Sequence, residues 1–321
     1  MFTVVLFANG RVGINAEHTP VDAMCLVSIF IAALGQVAAT FNSASGRAQL
    51  LAPPPPLSPS LRPPEVLEWR LGSRTRAAIE QASVEVGSLG ADCEVRHLDF
   101  LHFGKAFIKR AKLHPDFFMQ MAIQLAMFRM HQTFVATYET GHTRAFYHGR
   151  TDTVRSLSVE SAAFVRAMMD EAASAADKLS ALKTACAAHG EQLQRVLTGQ
   201  GIDRHMLGLY IGAHLRGSEP FPLIFTDKAY KLSGGGGNYR MSTSNVGYTP
   251  LFGGFAPMTA DGYGVCYAML ESRMNVIVTT WHSCAETSAS RMRDTIAQAL
   301  CDMRTMCISA GAGEAAAASK L

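Results

Sequence analysis

Apolar and polar positions change period several times along the chain, and each change predicts an element. Residues 2–8 and 11–16 read as two strands, with Asn9-Gly10 between them as a two-residue hairpin turn. Thr19 is placed to cap a helix, with Pro20 in its first turn and Asp22 at its third position. His18 then sits at a strand-to-helix junction, where a side chain can face a cleft. Residues 23–41 are apolar but interrupted by Ser28, Gly35 and Gln36, and they read as a buried helix rather than a membrane span. Further on, helices are expected over 73–90, from Pro115 to about 135 and over 203–215, with further helical patterns within 157–199. Strands are expected over 93–100 and near 239–243, 262–267 and 275–279. The last helix, about 286–306, carries Ala289, Met292, Ile296, Leu300 and Met303 at helical spacing. Helices interleaved with short strands imply an α/β layered fold.

The punctuation divides this pattern. The proline-rich run 53–64 reads as a crossover near a boundary, separating a first segment of residues 1–70 from a larger domain over 71–308. Gly234–Gly237 reads as a flexible loop, and without a following Lys-Ser/Thr it is no phosphate loop. Residues 309–321 form an Ala-rich tail ending in Ser319-Lys320-Leu321, a tripeptide that import receptors read as a peroxisomal address.

Composition narrows the chemistry. Of 321 residues 48% are apolar and 17% charged, enough for a sizeable core, and a net charge of +3 gives no argument for nucleic acid. Seven cysteines without a CxxC pair read as reduced thiols, and no secretory signal opens the chain. No zinc signature, nucleophile elbow or dinucleotide fingerprint appears, so no metal ligand is assigned. From the residues alone His18 is the best-presented candidate for proton transfer, or else a hydrogen-bonded turn histidine. Asp22 is equally readable as an acid that complements a helix dipole.

Four blocks carry a resemblance: NAEHTPVDA (15–23), HFGKAFIKRAKLHPDFFMQMAIQLA (102–126), ATYETGHTRAFYHGRTDTVRS (136–156) and MSTSNVGYTPLFGGFAPMTADGYGVCY (241–267). IDRHMLGL (202–209) and SCAETSASRM (283–292) add two more. In this order they resemble the carnitine/choline acyltransferase family, which moves acyl groups between coenzyme A and an alcohol. The resemblance implies a mixed sheet packed with helices, of which this chain matches the C-terminal half, the usual N-terminal half being absent. It implies His18 as general base, Asp22 as the carboxylate that orients it, and Ser244 as the hydroxyl that stabilises the oxyanion. Tyr138, Thr151, Arg204 and Ser242 match the carnitine side, and a guanidinium with hydroxyls suits its carboxylate. Lys105, Lys109 and Asp116 match the coenzyme A side. Gly253 and Gly254 match the acyl pocket, where small residues leave room for a medium chain rather than acetyl. Coenzyme A enters as co-substrate, with no tightly bound cofactor, and carnitine, acyl-CoA and an import receptor are the expected partners. His142, Asn245 and Ala256 depart from the family pattern. Two other readings stand beside an enzyme: a truncated inactive relative, and a module that binds CoA or a partner through its first segment.

Overall fold

The computed structural model describes residues 2–42, 47–48 and 65–313. The proline-rich run and the SKL terminus lie outside the described residues. Contacts divide the chain into two units, Met1–Ala91 and Asp92–Leu321.

The first unit opens with an antiparallel hairpin, β1 (Phe2–Leu6) and β2 (Val12–Ala16), in register from Phe2↔Ala16 to Leu6↔Val12. Its turn is wider than a two-residue link. Phe7 N donates to Arg11 O and Gly10 N to Phe7 O, while Gly10 sits at φ 79° and the Asn9 side chain accepts from Arg11 N. The Asn-Gly pair still makes the reversal, because Gly10 occupies a left-handed position without a Cβ clash.

Helix α1 spans Ala23–Thr40 and begins three residues later than its Pro-containing lead-in suggests. The Thr19 hydroxyl and backbone N–H both donate to Glu17 Oε1, and Asp22 becomes the capping residue in extended conformation, making no side-chain cap bond. The two bonds from Thr19 hold the Glu17 carboxyl below its usual range. The expected burial of α1 is not found. Val27 is its one buried residue, and Ile29, Ile31, Leu34 and Val37 are about half exposed. Within this unit the short strands β3 (Phe41–Asn42) and β4 (Arg47–Ala48) pair beside α1 and are too small to cover an eighteen-residue apolar helix. Helix α2 (Ser73–Asp92) buries none of its residues.

The second unit is a six-stranded mixed sheet. Its strands are β5 (Cys93–Phe100), β6 (Thr137–His142), β7 (Thr151–Arg155), β8 (Met241–Asn245), β9 (Tyr263–Met269) and β10 (Met274–Trp281), in the spatial order β5-β10-β9-β8-β6-β7. The β6–β8 and β8–β9 pairs are parallel and the others antiparallel. Strands β6 and β7 are not among the elements expected from sequence, because their polar residues give no clean alternation. The helices are α3 (Lys105–Arg110), α4 (Pro115–His131), α5 (Val159–Met169), α6 (Ala175–Leu197), α7 (Asp203–Leu215), α8 (Lys228–Leu232) and α9 (Ala289–Ser309).

Helix α4 starts at Pro115, whose missing N–H costs nothing in a first turn. It stops at His131, short of the expected 135, since Gln132 turns left-handed at φ 52° and donates to Phe128 O. Twelve of its seventeen residues are buried. Gln120 and Gln124 survive there because Gln120 Nε2 reaches Thr243 Oγ1 at 2.9 Å and Tyr267 Oη at 2.8 Å, and Gln124 Nε2 reaches Thr137 Oγ1 at 2.9 Å. Helix α9 buries the five residues its spacing singled out. Truncating Met292 or Leu300, both fully buried, to alanine is expected to lower stability by about 2–5 kcal/mol in urea unfolding.

Candidate functional site

His18 lies on the exposed stretch between β2 and α1, four residues before Asp22 at the helix cap. Both belong to the first unit, and the remaining candidates belong to the second.

In the second unit the parallel register of β6 and β8 sets Tyr138 opposite Ser242. Alternation along β8 then puts Ser244 on the same face as Ser242. Ser242 is buried and Ser244 half-buried. The Tyr138 ring meets Tyr239 edge-on at 5.4 Å, and Tyr239 Oη donates to Asp203 Oδ1 at 2.7 Å. The glycine run that carries Tyr239 is no flexible loop. It forms a 3-10 turn over Gly235–Gly237, with Gly234, Gly236 and Gly237 at positive φ. A Cβ on Gly235 would lie 2.5 Å from Tyr230 O, and one on Gly234 2.3 Å from the Tyr239 ring, so the turn packs where side chains cannot.

Thr151 starts β7 opposite His142. Arg204, one residue into α7, donates through Nε to Thr151 O at 3.3 Å. The N-cap residue Ile202 has no capping oxygen, and Asp152 supplies one from the neighbouring strand, accepting from Arg204 N at 3.2 Å and Thr153 N at 2.7 Å. That approach needs Gly201, where a Cβ would sit 2.3 Å from Asp152 Oδ2. Arg155 grips Asp203 with Nε at 3.1 Å and Nη2 at 2.7 Å, fixing the first turn of α7 from the other side. Tyr138, Ser242, Thr151 and Arg204 are thus tied to one patch around β6–β8 and the start of α7.

Lys105 opens α3, and Lys109 follows one turn later on the same face. The β9–β10 turn docks on this helix start: Lys105 N donates to Leu270 O and Ala106 N to Glu271 O. Gly104 permits it, since a Cβ there would lie 2.4 Å from Leu270 O. Lys105 Nζ sits 3.0 Å from a Glu271 carboxylate oxygen and 4.2 Å from the centre of the Tyr248 ring. An anion approaching Lys105 competes with Glu271. Glu271→Gln is therefore expected to tighten binding of inorganic phosphate at Lys105 by about two- to fivefold in calorimetry, as befits an ion pair with one exposed partner.

A sequence profile of the family described as Choline/Carnitine o-acyltransferase matches residues 1–298. The chain belongs to that family. It is 35% identical over 302 residues to a peroxisomal carnitine O-octanoyltransferase of Bos taurus, covering 94% of this chain and 48% of the relative. A carnitine O-acetyltransferase of Mus musculus is 38% identical over 244 residues, 76% of this chain and 38% of that protein. The muscle isoform of carnitine O-palmitoyltransferase 1 from Homo sapiens is 35% identical over 309 residues, 94% of this chain and 40% of its own length. The chain spans about half the length or less of these acyltransferase relatives.

Against this family background Gly253 and Gly254 line up beside β9 and β10. A Cβ on Gly253 would come within 3.2 Å of Val246 and 3.3 Å of Cys266 Sγ, and one on Gly254 within 2.8 Å of Ile277. Gly254→Val is expected to lower stability by about 1–3 kcal/mol, read from the urea midpoint, because Ile277 must move.

The sequence reading passed over two groups that the fold brings to Asp116. Asp116 is 7% exposed, and Oδ1 accepts from Asn245 Nδ2 and Tyr267 Oη, both at 2.7 Å. Glu139 and His189, each 3% exposed, stand beside it, with His189 Nε2 2.8 Å from Glu139 Oε2. Ligand atoms of the three lie within 4.8 Å of one another. Burial and the neighbouring Asp116 carboxylate push Glu139 well above its usual range, and burial pushes His189 down to about 4. The one sequence signal is local: Glu139 lies between Tyr138 and Thr140, and alternation turns it from their face toward the core.

Proposed function

We propose that the chain carries the catalytic half of a carnitine O-acyltransferase, moving an acyl group reversibly between coenzyme A and the hydroxyl of carnitine. The observation that carries the reading is the patch around β6–β8. The Tyr138–Ser242 register, the Arg204–Thr151 bond and the Asp152 cap gather a guanidinium and hydroxyls suited to a carboxylate. In this reading His18 takes the proton of the carnitine hydroxyl, and Asp22 orients its imidazole. The alkoxide attacks the thioester carbonyl, and Ser244 donates to the oxyanion that forms. Collapse breaks the carbon–sulfur bond, and the leaving thiolate takes the proton from His18. Transfer is direct, so no serine or cysteine acts as nucleophile. Lys105 and Lys109 meet the 3′-phosphate, and Asp116, buried beneath this surface, supports the adenine end indirectly by holding Asn245 and Tyr267. Coenzyme A is a substrate here, and no resident cofactor is required by these steps.

A medium-length acyl group is favoured by the octanoyltransferase relatives and by the two glycines at 253 and 254. Those same relatives are named as peroxisomal, and the terminal Ser319-Lys320-Leu321 fits recognition by the peroxisomal import receptor. The three-part organisation of 1–70, 71–308 and 309–321 remains part of this proposal, with His18 in the first part.

A second reading has its own support in the exposed apolar faces of α1 and the hairpin. In it the chain binds CoA and transfers an acyl group only when another polypeptide covers those faces. The test is thiol release by the purified chain with octanoyl-CoA, with and without L-carnitine, in parallel with CoA calorimetry. Carnitine-dependent release supports the first reading. CoA binding without release supports the second, and a folded chain that neither binds nor turns over CoA overturns both.

A further inference from the structure

The buried cluster beside Asp116 has an unusual make-up. Two carboxyl groups and an imidazole come from three separate elements, α4, β6 and α6, and all three are at least nine-tenths buried. Charges left uncompensated at such depth are costly, so a compact counter-charge has to be held among them. A proton is the smallest one available. The geometry provides for it: side-chain oxygen and nitrogen atoms of Asp116, Glu139 and His189 lie within 4.8 Å of one another, and Glu139 Oε2 faces His189 Nε2 at 2.8 Å. Ser156 Oγ approaches the same Oε2 at 3.5 Å and bonds Gln120 Oε1 at 2.8 Å.

We propose that Asp116, Glu139 and His189 form a positioning triad that stores one proton on Glu139 in the folded chain and thereby locks α4 and α6 to the strands carrying Tyr138 and Ser244. Glu139 donates this proton to the Asp116 carboxylate. Asp116 in turn takes bonds from Asn245, next to Ser244 on β8, and from Tyr267 on β9. The triad's link to catalysis rests on the acyltransferase reading of Tyr138 and Ser244. Its existence does not, and it is tested without turnover.

The titratable groups that face the pair are Asp116 and His114 from the start of α4 and Tyr267 from β9. The sign of the pH dependence follows from proton counts. Glu139 keeps its proton in the folded chain above pH 4.5, where the unfolded chain loses it, so its contribution to stability falls as pH rises. His189 stays neutral when folded down to about 4, while the unfolded imidazole takes a proton below 6.5, so its contribution rises from about pH 4 to 6.5 and is constant above. Between 4.5 and 6.5 the two slopes cancel.

The experiment is urea unfolding of the full chain across pH 4–8, followed through Trp281 on β10, in a Trp69→Phe background that silences the exposed tryptophan of the other unit. Glu139→Gln keeps the size and donates one hydrogen bond without the titratable proton. Relative to it, the chain with Glu139 is expected to lose about tenfold in folding constant per pH unit from 4.5 upward until Glu139 ionises. Relative to His189→Gln, the chain with His189 is expected to gain about tenfold per unit from about 4 to 6.5 and then stay level. A pH-independent difference for Glu139→Gln means that no proton is stored and overturns the proposal. So does a stoichiometric divalent metal in the purified chain, since the cation would then be the counter-charge. If Glu139→Gln fails to fold, the His189→Gln difference decides, and a flat curve there refutes the pair.

Discussion

A His18→Ala chain is expected to lose carnitine-dependent thiol release by about 10²–10⁴-fold while binding CoA with unchanged affinity. The size follows from the role. A general base within reach of an alcohol supplies that factor, and no other histidine of the described chain is presented comparably while also belonging to the block EHTPVD. His189 is the informative contrast. It is buried, and its low proton affinity leaves it neutral across the working range, so it holds neighbours in place rather than meeting substrate. His189→Gln should therefore leave a reduced but measurable rate where His18→Ala leaves almost none. Equal loss in the two variants would remove His18 from the role of base. CoA calorimetry on both separates a chemical defect from a folding one.

An Arg204→Ala chain is expected to need about 10- to 100-fold more carnitine for half-maximal rate, with the KM for octanoyl-CoA unchanged. A hydrogen bond to a charged group contributes about 1.5–3 kcal/mol, which corresponds to that range. Arg204→Lys should recover only part of the loss, because an ammonium keeps the charge but not the planar fork. The local fold makes the test specific. The Arg204 backbone is held by Asp152 and its Nε by Thr151 O, so truncating the side chain leaves the α7 cap in place. A rise in the KM for the acyl donor, or no change in that for carnitine, would place Arg204 outside the carnitine site. Gly201→Ala is the complementary control: it displaces Asp152 and is expected to disturb the same patch through stability instead of charge.

Much of the architecture was legible in residue order. Helices α2, α4, α7 and α9 and strands β5, β8, β9 and β10 fall close to where periodicity, Pro115 and strand-forming runs predict them. Strands β6 and β7 were not legible, because Thr137–His142 and Thr151–Arg155 draw their strand character from pairing with each other and with β8. The start of α1 was misplaced locally: the Thr19 hydroxyl and backbone N–H turn to Glu17, and the chain is still extended at Asp22. The glycine run misled in the opposite direction: four glycines read as freedom, yet Gly234 and Gly235 serve close packing against Tyr239 and Tyr230.

The sequence by itself determined the family, through ordered blocks from Asn15 to Met292, and with it the residue types that acyl transfer requires. Tertiary structure decided which residues of the second unit become neighbours. The parallel β6–β8 register sets Tyr138 beside Ser242, and Asp152 caps a helix that begins without an N-cap oxygen of its own. Asp116, Glu139 and His189 meet in a space that local pattern announces only for Glu139, through its alternation with Tyr138 and Thr140. Residues far apart in the chain become neighbours only through strand pairing and helix packing, and a buried proton has no sequence signature because desolvation is a property of the packed interior.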